Sequence, residues 1–154
     1  MAADGIAVNS FDVIPAQGYA GDVSPKDAWR MLSEDRSAVL VDVRTTAEWS
    51  YVGLPDLSGI GKRPVLVEWQ VFPAMQVNAD FVAQLAAQGV SGAAPVLFLC
   101  RSGVRSKAAA QALTQAGGKA CYNVSDGFEG PLDGDGHRGT VAGWKRSGLP
   151  WLQK

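Results

Sequence analysis

The sequence predicts an α/β domain with a mostly parallel central sheet flanked by helices. Three observations carry that expectation. Short apolar runs alternate with amphipathic segments along most of the 154 residues, the pattern of a layered α/β domain. The most hydrophobic run, Pro95 to Leu99, reads as a strand covered on both faces, as a central parallel strand must be. Internal repeats, low-complexity tracts and Ser/Pro-rich linkers are lacking, and the length suits one core. Residues 1–20 read as an N-terminal extension and 21–154 as the domain.

Element by element, Ser24-Pro25-Lys26-Asp27 reads as a helix start. Ser24 caps, Pro25 fits the first turn and Asp27 faces the positive end of the dipole. Ala28, Met31 and Leu32 supply the apolar stripe. Ala38 to Val43 is a buried strand, too short and too β-branched for a helix. Thr45 or Thr46 opens a brief helix carrying Glu48, Trp49 and Tyr51. Gly53 to Pro64, rich in Gly and Pro, reads as loop, and Pro64 to Trp69 as another strand. Asn78 is expected to cap a helix built on Phe81, Val82, Leu85 and Ala86 and ended by Gly89. An Ala-rich helix spans Ser106 to Ala116, and a strand covers Ala120 to Val124. A last helix is expected around Val141 to Arg146, with Trp144 and Trp151 fastening the tail to the core.

Charge and composition exclude several classes of function. The net charge of −1 does not supply the basic face that nucleic-acid binding needs, although Arg101, Arg105 and Lys107 cluster locally. No stretch reaches membrane-spanning length. Met1 to Ser10 has neither a basic region nor an apolar one of the secretory kind, so a cytoplasmic location is expected. The two cysteines, Cys100 and Cys121, are too few for a disulfide framework. His137, the single histidine, lies in a polar loop, and no cysteine pair has ligand spacing, so neither metal nor cofactor is expected.

The chemistry concentrates where the apolar strand meets the Ala-rich helix, at Cys100-Arg101-Ser102-Gly103-Val104-Arg105-Ser106. A tight loop there turns its amides inward at a helix N-terminus, which makes an anion cradle. Gly103 supplies the backbone freedom such a loop demands. Helix dipole, loop amides, Arg101 and Arg105 together favour the thiolate form of Cys100, as in reactive cysteines. On charge alone, thiosulfate, an anionic persulfide donor, a phosphate ester or arsenate would all fit. Cys121 sits near the start of its strand while Cys100 ends its own, and the two strands are taken as parallel. Three to four residues at ~3.3 Å each put them beyond the about 7 Å that a disulfide tolerates; Cys121 is therefore expected in the core.

The chain resembles the rhodanese family at three places. Val41-Asp42-Val43-Arg44-Thr45-Thr46-Ala47-Glu48-Trp49 is similar to its first signature, and Cys100 to Ser106 to its active-site loop. Gly127-Phe128-Glu129-Gly130 and the ending Gly143 to Pro150 are similar to its late turn and tail. One departure is the segment Val52-Gly53-Leu54-Pro55-Asp56, which has no histidine where the family usually carries one. The resemblance implies a three-layer fold and a sulfurtransferase working by double displacement. Cys100 would take sulfur from a small anionic donor such as thiosulfate. A thiol, cyanide or a protein cysteine would accept it.

In that scheme Arg101 and Arg105 orient the donor, and the amides from Ser102 to Ser106 hold the persulfide. Asp42, Arg44 and Glu48 are supporting residues, with Arg44 and Glu48 expected as an ion pair fixing the turn. The apolar segment Trp69 to Met75 either packs on the core or exposes a patch for a protein partner. Two rival readings stand beside this one: a persulfide carrier or sensor without turnover, and a cysteine phosphatase or arsenate reductase. The second, an analogy of loop architecture, normally uses a loop one residue longer and a histidine where Leu99 stands.

Overall fold

A computed structural model describes residues 12–153 except residue 72. The first eleven residues of the expected N-terminal extension thus lie outside the described residues, as does the segment Met1 to Ser10. Strands β1 (Gly21–Val23), β2 (Val39–Asp42), β4 (Val65–Leu66), β7 (Val96–Leu99) and β8 (Cys121–Val124) form one sheet in the order β1-β8-β7-β2-β4. Every pairing in it is parallel. Helices α1 (Pro25–Glu34), α2 (Thr46–Tyr51), α3 (Phe81–Ala87) and α4 (Val104–Gln115) connect the strands. Two small antiparallel pairs complete the chain: β3 (Leu54–Pro55) with β9 (Trp151–Leu152), and β5 (Gln70–Val71) with β6 (Gln76–Val77).

Side-chain parity in the central strands explains the layering. Leu40, Leu97 and Leu99 join Ala28, Met31 and Leu32 of α1 in one core cluster. Val41, Val96, Phe98 and Cys100 join Phe81 and Leu85 of α3 and Ala109, Ala110 and Leu113 of α4 in the other. Alternation along a strand sends successive residues to opposite faces. Cys100, two beyond Phe98, therefore points toward α4 and not toward α1. Register adds the second constraint: Asp42 pairs with Leu99, so β2 and β7 end at the same level.

Local expectations hold where local hydrogen bonds decide. Ser24 Oγ accepts from Asp27 N at 3.1 Å, capping α1 with Pro25 in its first turn. Other expectations fail where the chain finds distant partners. The segment Val141 to Arg146 is turn and not helix. Its amides at Trp144 and Lys145 bond to the carbonyls of Gly127 and Phe128 instead of continuing a helical ladder. Asn78 does not cap a helix at the next residue. Its Oδ1 accepts from Asp80 N and its Nδ2 donates to Glu68 O, so α3 starts only at Phe81. The strand expected over Pro64 to Trp69 is paired as β4 only at Val65–Leu66. The loop expected from Gly53 contains β3, held by β9. β1, unforeseen because it is three residues long, closes one sheet edge.

Candidate active site

Cys100 follows β7 directly, is 1 % exposed, and its sulfur is approached by two donors. Gly103 N donates at 3.1 Å and Ser106 Oγ lies at 3.1 Å. Gly103 has φ 107 and stands immediately before α4. A Cβ there would collide with Ser125 O, so the turn that aims this amide at the sulfur requires glycine. The loop's carbonyls are drawn the other way. Cys100 O accepts from Phe128 N at 2.8 Å, and Arg101 O accepts from Glu129 N and Gly130 N at 3.0 and 3.1 Å. The late glycine turn thus clamps the loop from behind, while the Gly103 amide at the start of α4 faces the sulfur.

Next to this loop sits α2, whose start is a capping box. Thr45 Oγ1 accepts from Glu48 N, and Glu48 Oε1 accepts from Thr45 N. That box fixes the Glu48 carboxylate, which also receives both ends of the Arg105 guanidinium at 2.6 and 2.9 Å. Burial pushes Glu48 up and Arg105 down, yet their mutual pair outweighs it, lowering the Glu48 pKa and raising that of Arg105. An open cavity of about 370 Å³ lies over the sulfur. Its lining includes Cys100, Arg101 and Arg105, Glu48 of α2, and Gln70 and Met75 of the β5–β6 hairpin. Among the described residues, Arg101 has no carboxylate at ion-pair distance.

The expected pair of Arg44 with Glu48 does not form. Arg44 is wholly buried and folds back on its own strand end. Its Nε and Nη2 donate to Asp42 at 3.0 and 2.7 Å, Nη2 also donates to Gly53 O, and the guanidinium stacks 4.2 Å over Phe128. Only Val43 stands between Asp42 and Arg44 at the end of β2, so both side chains reach one face, whereas Glu48 is committed to Thr45 and Arg105. Asp42 and Arg44 therefore brace the floor between β2 and the late turn. Arg105, expected to receive a donor, does not present an unpaired charge, because Glu48 takes both of its ends.

Comparison with known proteins adds an independent line. The family model described as "STR4 middle domain" matches residues 20–154. The chain is 42 % identical over 125 residues to the uncharacterized protein RC0915 of Rickettsia conorii, covering 80 % of this chain and 90 % of that one. It is 28 % identical to rhodanese-like domain-containing protein 4, chloroplastic, of Arabidopsis thaliana, over 86 % of this chain and 26 % of that one. The chain belongs to the rhodanese-like family. Thiosulfate sulfurtransferase GlpE of Actinobacillus pleuropneumoniae is 26 % identical, with 84 % and 90 % of the two chains covered. Among solved structures, the crystal structure of Rv0390 from M. tuberculosis has TM-score 0.82 and 52 % identity, covering 88 % of this chain and 99 % of that one. The solution structure of the polysulfide-sulfur transferase homodimer of Wolinella succinogenes has TM-score 0.57 and 27 % identity, covering 86 % and 78 %.

Within this rhodanese-like domain the remaining expectations divide. Cys121 is buried, makes no disulfide, and burial pushes its thiol up, only partly offset by a hydrogen bond with Thr114. Trp144 is fully buried and its Nε1 donates to Pro150 O, while Trp151 lies over Phe128 edge-on beneath Lys145. His137 is exposed. Within the described part of the segment Trp69 to Met75, Trp69 packs edge-on against Phe81, while Val71 and Met75 are exposed. Among the described residues no helix is long and apolar enough to cross a membrane, and no three His, Cys, Asp or Glu side chains converge. Sequence reasoning missed Asn123, which is buried in β8 with its Oδ1 2.5 Å from Ser106 Oγ. The available signal was a polar residue inside a four-residue strand whose positions are all buried.

Proposed function

We propose that this chain is a sulfurtransferase that moves a sulfane sulfur from thiosulfate, or another anionic persulfide donor, to a thiophilic acceptor through Cys100. The observation that carries the reading is the sulfur of Cys100, faced by the Gly103 amide and the Ser106 hydroxyl and opening onto the cavity beside Arg101. Family membership and the named activities of GlpE and the Wolinella transferase support sulfur transfer in general. The donor, the persulfide and the roles of the residues are our assignment.

In the first half-reaction the Cys100 thiolate attacks the outer sulfur of thiosulfate. The S–S bond of the donor breaks, sulfite leaves with the electron pair, and Cys100 keeps the sulfur as a persulfide. The amides of Ser102 to Ser106 and the start of α4 stabilise negative charge on sulfur, and Arg101 draws in the anion. In the second half-reaction a thiol, cyanide or protein cysteine attacks the outer sulfur and Cys100 leaves as thiolate. Asp42, Arg44 and Glu48 act as supports. The exposed Val71, Met75 and Val104 at and near the cavity favour a protein acceptor. We assign the reaction to the cytoplasm, whose reducing conditions suit two free thiols.

The test loads the protein with thiosulfate and weighs it intact. A gain of one sulfur that cyanide removes and Cys100→Ser abolishes is expected. Absence of that gain, with hydrolysis of a phosphate ester instead, would favour the phosphatase reading. A single stoichiometric loading without turnover on any small acceptor would favour the carrier.

A further inference from the structure

Behind the sulfur lies a chain of polar groups that the transfer steps above leave unused. Ser106 Oγ lies 3.1 Å from Cys100 Sγ and 2.5 Å from Asn123 Oδ1. Asn123 Nδ2 donates to Asp22 Oδ1 at 2.9 Å and to Gly103 O at 3.2 Å. Asp22 Oδ1 also accepts from Tyr19 Oη at 2.8 Å. Burial, with the Asp22 contact second, pushes the Tyr19 hydroxyl up to about 12, so it stays a protonated donor.

These contacts fix which way the Asn123 amide points. Turned over, its oxygen would face a carboxylate and a carbonyl, three acceptors without a proton between them. Oδ1 therefore faces Ser106 permanently. Ser106 has one hydroxyl proton and two neighbours able to take it. Ser106 is fully buried and Asn123 nearly so, which raises the cost of leaving either acceptor unserved.

We propose that Asn123 is a positioning residue for Cys100, acting through Ser106 by competing with the sulfur for the single serine proton. While Cys100 is a thiol, its S–H donates to Ser106 Oγ and the serine donates to Asn123 Oδ1. When the thiol proton leaves to solvent through the cavity, the serine hydroxyl turns to the anionic sulfur and Asn123 Oδ1 gives up its donor. The amide thus limits how firmly Ser106 grips the sulfur, and a less tightly held thiolate stays more nucleophilic. Asp22 and Tyr19 hold the amide in the competing orientation. The charged group acting on the sulfur from α4 is Arg105, itself held by Glu48. Asn123→Leu leaves both of these charges in place and removes only the competing acceptor with its amide.

The inference rests on Cys100 being the nucleophile of the proposed function, but its test needs no sulfur donor. The measurement is the rate of Cys100 alkylation by iodoacetamide against pH, with the modified peptide identified by mass so that Cys121 does not contribute. Asn123→Leu is expected to raise the rate on the acid limb by about three- to tenfold. The same rise is expected in a Ser106→Thr background, which keeps the hydroxyl, and none in a Ser106→Ala background. An equal rise in the Ser106→Ala background, or no rise in any background, overturns the proposal. Should Asn123→Leu not fold, the side-chain amide resonances of Asn123 in the unaltered chain supply the readout. They should move with the Cys100 titration and stay still in Ser106→Ala; resonances indifferent to that titration overturn it equally. Intact coupling in a protein that takes up no sulfur would fault the proposed function alone.

Discussion

Glu48 and Arg105, 57 residues apart in the chain, meet in a two-point ion pair at the wall of the cavity over Cys100. The pair joins the first turns of two helices: Glu48 is set by the capping box of α2, and Arg105 is the second residue of α4. It ties the loop after Cys100 to the start of α2, and it pairs a positive charge at the cavity wall. Removing the carboxylate should therefore have opposite effects on folding and on donor affinity.

Glu48→Gln is expected to destabilise the fold by about 1–3 kcal/mol, since Arg105 keeps a weaker hydrogen-bond partner in a part-buried place. It should also lower the KM for thiosulfate, because the guanidinium then faces the cavity without a counter-charge. Denaturant melts and steady-state kinetics on one preparation check both. A higher KM would mean that the pair holds the site's shape and that its neutralised charge is irrelevant.

The same pair sets a pH dependence. Because the Glu48 pKa is lowered in the folded chain, its contribution is complete above the ordinary carboxylate range. It is lost as pH falls through the depressed folded value. Stability of the unaltered chain should decline on that acid side more steeply than stability of Glu48→Gln. Parallel acid limbs in equilibrium unfolding would contradict this.

Arg101 and Arg105 should separate cleanly. Arg101 is exposed and has no carboxylate partner among the described residues, so Arg101→Ala should leave the melting temperature nearly unchanged. Its KM for thiosulfate should rise roughly threefold to thirtyfold, the loss of one charge-assisted contact. Equal affinity in both proteins would remove Arg101 from donor binding.

Gly103→Ala combines a positive φ with a Cβ driven onto Ser125 O. Strain of this kind costs about 1–3 kcal/mol before the clash is relieved, and relief must move the amide that faces the sulfur. Sulfur loading by intact mass should collapse even at temperatures where circular dichroism shows a folded domain.

Arg44→Ala should be the most destabilising of these changes, by about 3–5 kcal/mol, as it strands the Asp42 carboxylate in the core. Cys121→Ser, by contrast, should leave sulfur loading intact, since that thiol faces the core beside Leu113 and Gly118. Loss of loading in Cys121→Ser would instead make Cys121 a second thiol of the reaction.

The sequence by itself determined the strand, loop and helix around Cys100, the capped starts of α1 and α2, and the parallel sheet. Each leaves its signal within a few residues: alternation of apolar side chains, a cap reaching three residues ahead, a glycine where φ must be positive. The place of Cys100 between a strand end and a helix start was legible for that reason. Tertiary structure alone decided the partners. Arg44 chose Asp42 over Glu48, Arg105 was claimed by Glu48, the Val141 to Arg146 segment gave its amides to the late turn, and Ser106 met Asn123 of another strand. Charges and hydroxyls can pair with any complementary group, so the choice falls to distance and burial once chain-distant elements have packed. Spacing along the chain carries no record of those two quantities.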